Sequence, residues 1–184
     1  LNIDTIIVNA VTCLGGNDAS IQSISGSGGT PPYMYSVNGG QTHSNMSYFI
    51  NYTAGTYAVE IRDVNNCFSS EILIIADPAE LDVTITPSNW YGNNYQIRCN
   101  GDASGFADIT VNGGVSPYSY TVLDANGDII VSSSNSNVSG LTADIYTFVI
   151  IDANGCTSTE TITYFEPPAI QHNFIVNHVN CSGW

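Results

Sequence analysis

The chain has 184 residues and a net charge of −14, because 16 acidic residues stand against only two basic ones. This balance excludes binding to nucleic acid or insertion at an anionic membrane surface, since both depend on clusters of Lys and Arg. With 43% hydrophobic residues the chain is too apolar for a disordered tail, yet no apolar run is long enough to cross a membrane. It has no initial Met and no recognisable signal peptide, so we expect a mature or excised segment.

Short β-strands separated by turn signals are predicted along the whole chain. In the first part the predicted strands lie near residues 3–12, 19–25, 33–37, 46–50, 56–63 and 67–75. Around residue 60, Tyr57, Val59 and Ile61 alternate with small or polar side chains, so they share one face and are expected in the core. Pairs such as Asn38-Gly39 lie between the runs and favour hairpin turns.

The second part of the chain repeats the pattern of the first. Residues 55–67 match residues 144–156, so that Tyr146, Phe148 and Ile150 are also expected in the core, and residues 7–13 return as residues 175–181. The offsets, such as 152 − 63 = 89 and 181 − 99 = 82, exceed those of solenoid repeats and suit complete small domains.

We therefore predict a first module at residues 1–80, a second module at residues 81–169 and the start of a third at residues 170–184. About seven short strands per module, with turn signals between them, indicate an all-β fold. The fold class that fits this number and spacing is a set of tandem immunoglobulin-like β-sandwich modules.

The five cysteines follow the repeat. Cys13, Cys99 and Cys181 occupy equivalent positions, as do Cys67 and Cys156. This predicts one disulfide per module, Cys13–Cys67 and Cys99–Cys156. The partner of Cys181 is then expected further along the third repeat, beyond residue 184. Free buried thiols are the alternative. The spacing does not suit a zinc site, because no Cys-x-x-Cys pair occurs.

A combined motif of four pieces occurs in each module. In the second module the pieces are Cys99-Asn100-Gly101, Gly113-Gly114 with Pro117-Tyr118, Asp152-Ala153-Asn154-Gly155-Cys156 and Glu166-Pro167. This motif resembles the SprB repeat of cell-surface adhesins from gliding Bacteroidota. The chain departs from the family pattern at Ala19 and Asn66, where Gly is usual, at Ala107, where Ile is usual, and at Asp144, where Gly is usual. The resemblance implies secretion by the type IX system, display at the cell surface and a role in adhesion or gliding.

No catalytic residue is predicted, since the three histidines do not recur between modules and no nucleophile or metalloprotease motif occurs. Calcium is the one cofactor considered. Asp124, Asn126 and Asp128 offer oxygen ligands on a turn, although the same side chains also make turns by bonding to the backbone.

Two other kinds of site are predicted at the surface. In an insertion of the second module, Trp90, Tyr91 and Tyr95 could stack on a sugar ring or pack against the sandwich. Candidate glycosylation sites are Asn45, Asn51 and Asn137 in N-linked sequons, and Thr5 in an Asp-Thr-Ile triplet.

Together these features predict an extracellular structural protein, a disulfide-braced stalk or filament module of a cell-surface adhesin. Its expected partners are neighbouring repeats of the same or an identical chain, with surface glycans or a substratum as further candidates. The alternatives are a self-assembling filament subunit and a carbohydrate-binding module of a secreted enzyme.

Overall fold

The structure is a computed structural model that describes residues 1–90, 92 and 94–175. Within these residues the regular elements are thirteen β-strands. In chain order they are β1 (Asn2–Asn9), β2 (Ala19–Ser27), β3 (Met34–Ser36), β4 (Phe49–Tyr52), β5 (Gly55–Arg62), β6 (Phe68–Ile75), β7 (Asp82–Pro87), β8 (Gly105–Asn112), β9 (Ser119–Leu123), β10 (Ile129–Ser133), β11 (Asn137–Leu141), β12 (Ile145–Ile151) and β13 (Thr157–Thr163). The described part of the chain contains no helix long and apolar enough to span a bilayer.

The strands form four small antiparallel sheets. The first six strands give two three-stranded sheets, in the orders β1-β2-β4 and β3-β5-β6. The next seven give β11-β8-β7 and β10-β9-β12-β13. In the second set, β7, β8 and β11 correspond to strands A, B and E of an immunoglobulin-like sandwich, and β9, β12 and β13 correspond to C, F and G, with β10 added beside C. The first set gives the same two sheets without a counterpart of β10. The predicted all-β, immunoglobulin-like fold class is confirmed.

The first set has one strand fewer than the seven that the sequence predicts. Its counterpart of β10 is reduced to an isolated bridge between Tyr35 and Ser44. Just before this bridge, the Asn38 side chain accepts a hydrogen bond from the Thr42 N–H group at 3.0 Å. Such local side-chain bonding competes with pairing between strands, and it keeps this stretch in a turn.

Separate hydrophobic clusters lie within the two sets of strands. One cluster contains buried residues between positions 81 and 164, including Val122, Phe148 and Ile150, which are 0% exposed. The other clusters contain residues between positions 3 and 75, including the fully buried Ile21 and Val59. Alternation therefore identified the buried face of β12 correctly. In β5 it identified Val59 and Ile61, whereas Tyr57 is only half-buried.

A tyrosine begins the buried face of both β5 and β12. The Tyr57 hydroxyl donates to the Thr53 carbonyl oxygen at 2.8 Å, which fixes the turn before β5. The Tyr146 hydroxyl lies 3.2 Å from the Thr142 N–H group and accepts its hydrogen bond. A tyrosine at this corner, bonded to backbone a few residues upstream, is a feature of immunoglobulin-like sandwiches.

Candidate functional site

A disulfide bond joins the first set of strands, β1–β6, to the second set, β7–β13, which correspond to the predicted first and second modules. It links Cys13 to Cys156, whose Cα atoms are 5.5 Å apart. The predicted pairs Cys13–Cys67 and Cys99–Cys156 are wrong in this structure, in which Cys67 and Cys99 are exposed free thiols. The two classes of cysteine do bond to each other, but the partner comes from the following module. Cys181 lies outside the described residues.

The positions of the cysteines along the sandwich explain this outcome. Cys67 immediately precedes β6, whereas the Cys13 loop lies beside the other end of that strand. Gly15 donates its N–H to Oδ1 of Asp77, two residues after β6 ends, at 3.0 Å. An extended strand of eight residues spans roughly 26 Å. A disulfide needs Cα atoms within about 7 Å. The second module continues from the same end, so the hairpin that carries Cys156 is the one within reach.

A groove of about 400 Å³ surrounds this junction. It brings together the loop after β1, the connection between the modules and the start of β13. The lining residues are Cys13, Leu14, Ala79, Glu80 and Leu81 on one side and residues 155–158 on the other. The groove is therefore lined by the two loops that carry the bonded cysteines and by the residues that connect the two sets of strands.

A buried aspartate holds the hairpin that ends in Cys156. Asp152 is 5% exposed, and its Oδ1 atom accepts hydrogen bonds from the N–H groups of Asn154 (2.9 Å) and Cys156 (2.8 Å). Its Oδ2 atom accepts a third bond from Val115 N–H at 2.8 Å. Burial by itself raises the pKa of Asp152, but the hydrogen bonds from Val115, Cys156 and Asn154 outweigh it, so the pKa lies below its ordinary value.

The first module contains the same arrangement. Asp63 is also 5% exposed and accepts hydrogen bonds from the N–H groups of Thr30, Asn65 and Cys67, each at 2.9 Å. The bond from Thr30 is the main cause of the lowered pKa of Asp63, and the bonds from Cys67 and Asn65 add to it. In both modules, the buried aspartate of the Asp-x-Asn-x-Cys motif therefore fixes the position of the cysteine by bonding to its backbone N–H.

The glycines before the Pro-Tyr pair fit tightly over this carboxylate. Gly114 has a φ of +59°, and a Cβ atom placed on it would lie 3.0 Å from Asp152 Oδ2 and 2.8 Å from Leu81 Cδ1. The Tyr118 hydroxyl closes the loop by donating to the Gly113 carbonyl oxygen at 2.8 Å. The Gly-Gly-x-x-Pro-Tyr motif therefore forms a loop that packs against the aspartate.

One polar cluster escaped sequence reasoning. Glu60 is 5% exposed, and its Oε1 atom lies 2.9 Å from His43 Nε2 and 2.8 Å from Arg62 Nη2. Burial raises the pKa of Glu60, but hydrogen bonds from His43 and Arg62 outweigh it and the net shift is downward. The matching positions in the second module are Val149 and Ile151, so the repeat contained no signal for this cluster.

The insertion aromatics pack partly against the protein itself. The half-buried Trp90 ring lies edge-to-face with Phe106 at a centroid distance of 6.2 Å, and the Arg98 guanidinium carbon is 5.7 Å from the Trp90 ring centroid. The backbone N–H of Trp90 donates to the Tyr95 carbonyl oxygen at 2.9 Å, which places both predicted residues on one turn. Tyr91 lies outside the described residues. Sugar binding here stays a prediction.

The predicted calcium loop forms a compact turn. Asp124 Oδ1 accepts hydrogen bonds from the N–H groups of Asn126 and Asp128, both at 2.9 Å. The bond from Asp128 is the main cause of the lowered pKa of Asp124. Across the described residues, no group of three or more His, Cys, Asp or Glu side chains could hold a metal ion. The Asp124 carboxylate thus stabilises the turn by bonding to backbone N–H groups. Calcium binding stays a prediction.

The four predicted glycosylation residues are all exposed. Thr5 lies on β1 and Asn137 begins β11, where its side-chain amide donates to Asp108 Oδ1. Asn51 lies in β4, an edge strand of its sheet, and Asn45 lies four residues before that strand begins. Exposure makes modification sterically feasible at each site, and the modification itself stays a prediction.

Comparison with known proteins confirms the resemblance of the motifs. The family model described as "SprB repeat" matches residues 5–42 and residues 95–132, one segment in each module. No curated protein sequence matches the chain. Two SprB repeat segments in an immunoglobulin-like, disulfide-bonded chain indicate an extracellular repeat domain.

Two solved structures with similar chains are both 14% identical to this one. One is the C-terminal 282-residue fragment of intimin in complex with the intimin-binding domain of the translocated intimin receptor; the alignment covers 89% of this chain and 64% of that chain, with a TM-score of 0.41. The other contains the fibronectin(III)-like modules of Clostridium thermocellum CbhA, with 96% and 99% coverage and a TM-score of 0.35.

Proposed function

We propose that this chain is a segment of the stalk of a cell-surface adhesin, in which tandem modules act as covalently braced spacers. The observation that carries this proposal is the disulfide between Cys13 and Cys156, which ties one module to the next. A bond between modules limits how far they can separate and how freely they can bend at their connection. These are the mechanical properties that a projecting stalk needs.

The charge of the chain supports the same function. A net charge of −14 keeps long parallel stalks soluble and apart from each other. The SprB repeat segments support display at the cell surface, secretion by the type IX system and a role in adhesion or gliding. In this proposal the chain has no catalytic role, because its motif residues bond to one another and to the backbone.

The proposed stalk has mainly its own neighbouring repeats as partners. Surface glycans or a substratum would be bound by other parts of the parent protein. The carbohydrate-binding alternative depends on the aromatic insertion, where Trp90 packs on Phe106 and Arg98.

Electron microscopy of native cells tests the proposal. Gold-labelled antibodies against this chain should decorate thin surface fibres at regular spacing. Label confined to the soluble secreted fraction would overturn the stalk function and favour a carbohydrate-binding module attached to a secreted enzyme.

A further inference from the structure

The two free cysteines occupy the same positions in their modules as the two bonded ones. Cys99 is the second module's counterpart of Cys13, and Cys67 is the first module's counterpart of Cys156. We propose that the disulfide between modules recurs at every junction of the array. Cys99 then bonds to the Cys67 counterpart of the following repeat, and Cys67 to the Cys99 counterpart of the preceding repeat. This inference rests on the proposed function as a tandem array.

The surface around Cys99 matches the first module's half of the observed junction. A groove of about 390 Å³ lies beside Cys99 and is lined by Arg98, Cys99, Asn100, Pro167, Pro168, Ala169 and Ile170. Under the repeat, Cys99 and Asn100 correspond to Cys13 and Leu14, and Ala169 and Ile170 correspond to Ala79 and Glu80. At the observed junction this half is complemented by residues 155–158 of the next module. At Cys99 the groove has no such complement among the described residues.

The backbone that presents Cys99 is held in the same way as the backbone that presents Cys13. Gly101 N–H donates to Glu166 Oε2 at 2.6 Å, just as Gly15 N–H donates to Asp77 Oδ1 at 3.0 Å. The acidic residue in each case follows the last strand of its module. The Cys99 side of a junction is therefore preformed in the second module, although the described residues include no following module.

The Cys67 side of a junction is likewise preformed in the first module. Cys67 N–H bonds to Asp63 at 2.9 Å, and Cys156 N–H bonds to Asp152 at 2.8 Å. The residue before each cysteine has a left-handed backbone, with φ of +64° at Asn66 and +85° at Gly155. Asn tolerates this conformation better than other non-glycine residues, so the departure from the family pattern leaves the hairpin unchanged.

Exposed apolar side chains flank both free cysteines. Phe68, next to Cys67, is 61% exposed, and Ile170, in the groove beside Cys99, is 91% exposed. Their counterparts at the observed junction, Thr157 and Glu80, line the same groove from opposite sides. Phe68 of a following repeat would therefore approach Ile170, and the two side chains would remove apolar surface from water.

The proposed bond forms by thiol–disulfide exchange with a disulfide donor, which is oxidised glutathione in the experiment below. The thiolate of one cysteine attacks a donor sulfur and releases one glutathione thiol. The second cysteine thiolate then attacks the mixed disulfide and releases the other. Two cysteine thiols are oxidised, one glutathione disulfide is reduced to two thiols, and the two cysteine protons end on those thiols.

A duplicated chain tests the proposal directly. Because residues 170–181 correspond to residues 2–13 by the offset 181 − 13 = 168, joining residue 169 of one copy to residue 2 of another places a first module in the register of the third. Cys181→Ser in the last copy leaves eight cysteines. After exchange in a mixture of reduced and oxidised glutathione at low protein concentration, the chain is denatured without reductant, alkylated and analysed by mass spectrometry. Cysteines outside protein disulfides, whether alkylated or carrying glutathione, are counted together as free thiols.

Each connectivity gives a different thiol count. The recurring junction leaves two free thiols, Cys67 of the first copy and Cys99 of the second, and a peptide that links Cys99 of the first copy to Cys67 of the second. Four free thiols, with Cys13–Cys156 formed in each copy, would overturn the proposal. No free thiols, with each module bonded internally, would overturn it as well. As a control, Cys67→Ser in the second copy must leave Cys99 of the first copy reactive.

This experiment is independent of the test of function. The disulfide count needs only purified protein, whereas the stalk function is tested by antibody label on cells. A recurring junction in a protein found only in the secreted fraction would leave the connectivity intact and reject the stalk. Labelled fibres on native cells, together with four free thiols in the purified duplicated chain, would support the stalk and reject the recurring junction.

Discussion

Breaking the disulfide between the modules should destabilise the protein, whereas removing either free cysteine should not. The relevant changes are Cys13→Ser and Cys156→Ser, with Cys67→Ser and Cys99→Ser as matched controls and Cys181→Ser in every variant. The bonded cysteines are 143 residues apart, and the controls replace exposed thiols without a partner in the described structure.

The size of the effect follows from loop closure. In the chain-entropy model, a cross-link across this separation stabilises by about 5 kcal/mol, and typical measured values are about 2–4 kcal/mol. Because the two sets of strands have separate cores, unfolding of one alone still leaves a tethered loop of roughly 70–80 residues, for which the model gives about 4.5 kcal/mol. We expect a loss of about 2–4 kcal/mol, or a fall in melting temperature of roughly 10–30 °C for domains of this size.

Differential scanning calorimetry without reductant measures this directly. The Cys13→Ser and Cys156→Ser variants should melt at similarly lowered temperatures, and their double variant should melt no lower, because both changes remove the same bond. An equal loss of stability in Cys67→Ser or Cys99→Ser would refute the reasoning, since it would mean that each module is bonded internally.

Three further predictions concern the motif residues. Gly114→Ala should destabilise by about 2–4 kcal/mol in urea unfolding, from left-handed strain and contact with Asp152, whereas Gly127→Ala, whose Cβ meets nothing within 4 Å, should cost only about 1–2 kcal/mol of strain; equal losses would remove the packing argument. Because the pKa of Asp152 is lowered by folding, its stabilisation is present above the ordinary aspartate pKa and is lost as pH falls through the lowered value. Asp152→Asn should therefore flatten the acid limb of a stability–pH profile, while the exposed Asp82→Asn should leave that limb in place; identical profiles would contradict this. Trp90→Ala should cost about 2 kcal/mol, roughly half the value for a fully buried aromatic, without changing binding on a glycan array; loss of a specific glycan signal with unchanged stability would support sugar binding instead.

Sequence periodicity was sufficient for most of the fold. Alternation in β5 and β12 identified buried residues such as Val59 and Phe148, because a half-buried strand places every second side chain on one face. The internal repeat then carried the same prediction from one set of strands to the other. The predicted number of strands was one too high in the first set, because the Asn38 side chain bonds to Thr42 there and replaces pairing between strands.

The junction needed three-dimensional information. Equivalence under the repeat sorts cysteines into classes, but connectivity cannot be deduced from sequence alone. Whether Cys13 meets Cys67 or Cys156 depends on which end of the sandwich each residue occupies, and that is set by the length and direction of β6. The roles of Asp63 and Asp152 were likewise hidden, because a turn signal does not reveal that the carboxylate is buried.

Tryptic mapping of the oxidised, unreduced chain tests the central claim most directly. The only basic residues, Arg62 and Arg98, divide the chain into residues 1–62, 63–98 and 99–184. With Cys181→Ser to remove its competition, the disulfide between modules predicts that residues 1–62 stay linked to residues 99–184 while residues 63–98 are released. Residues 1–62 linked instead to residues 63–98, with residues 99–184 released alone, would contradict the account.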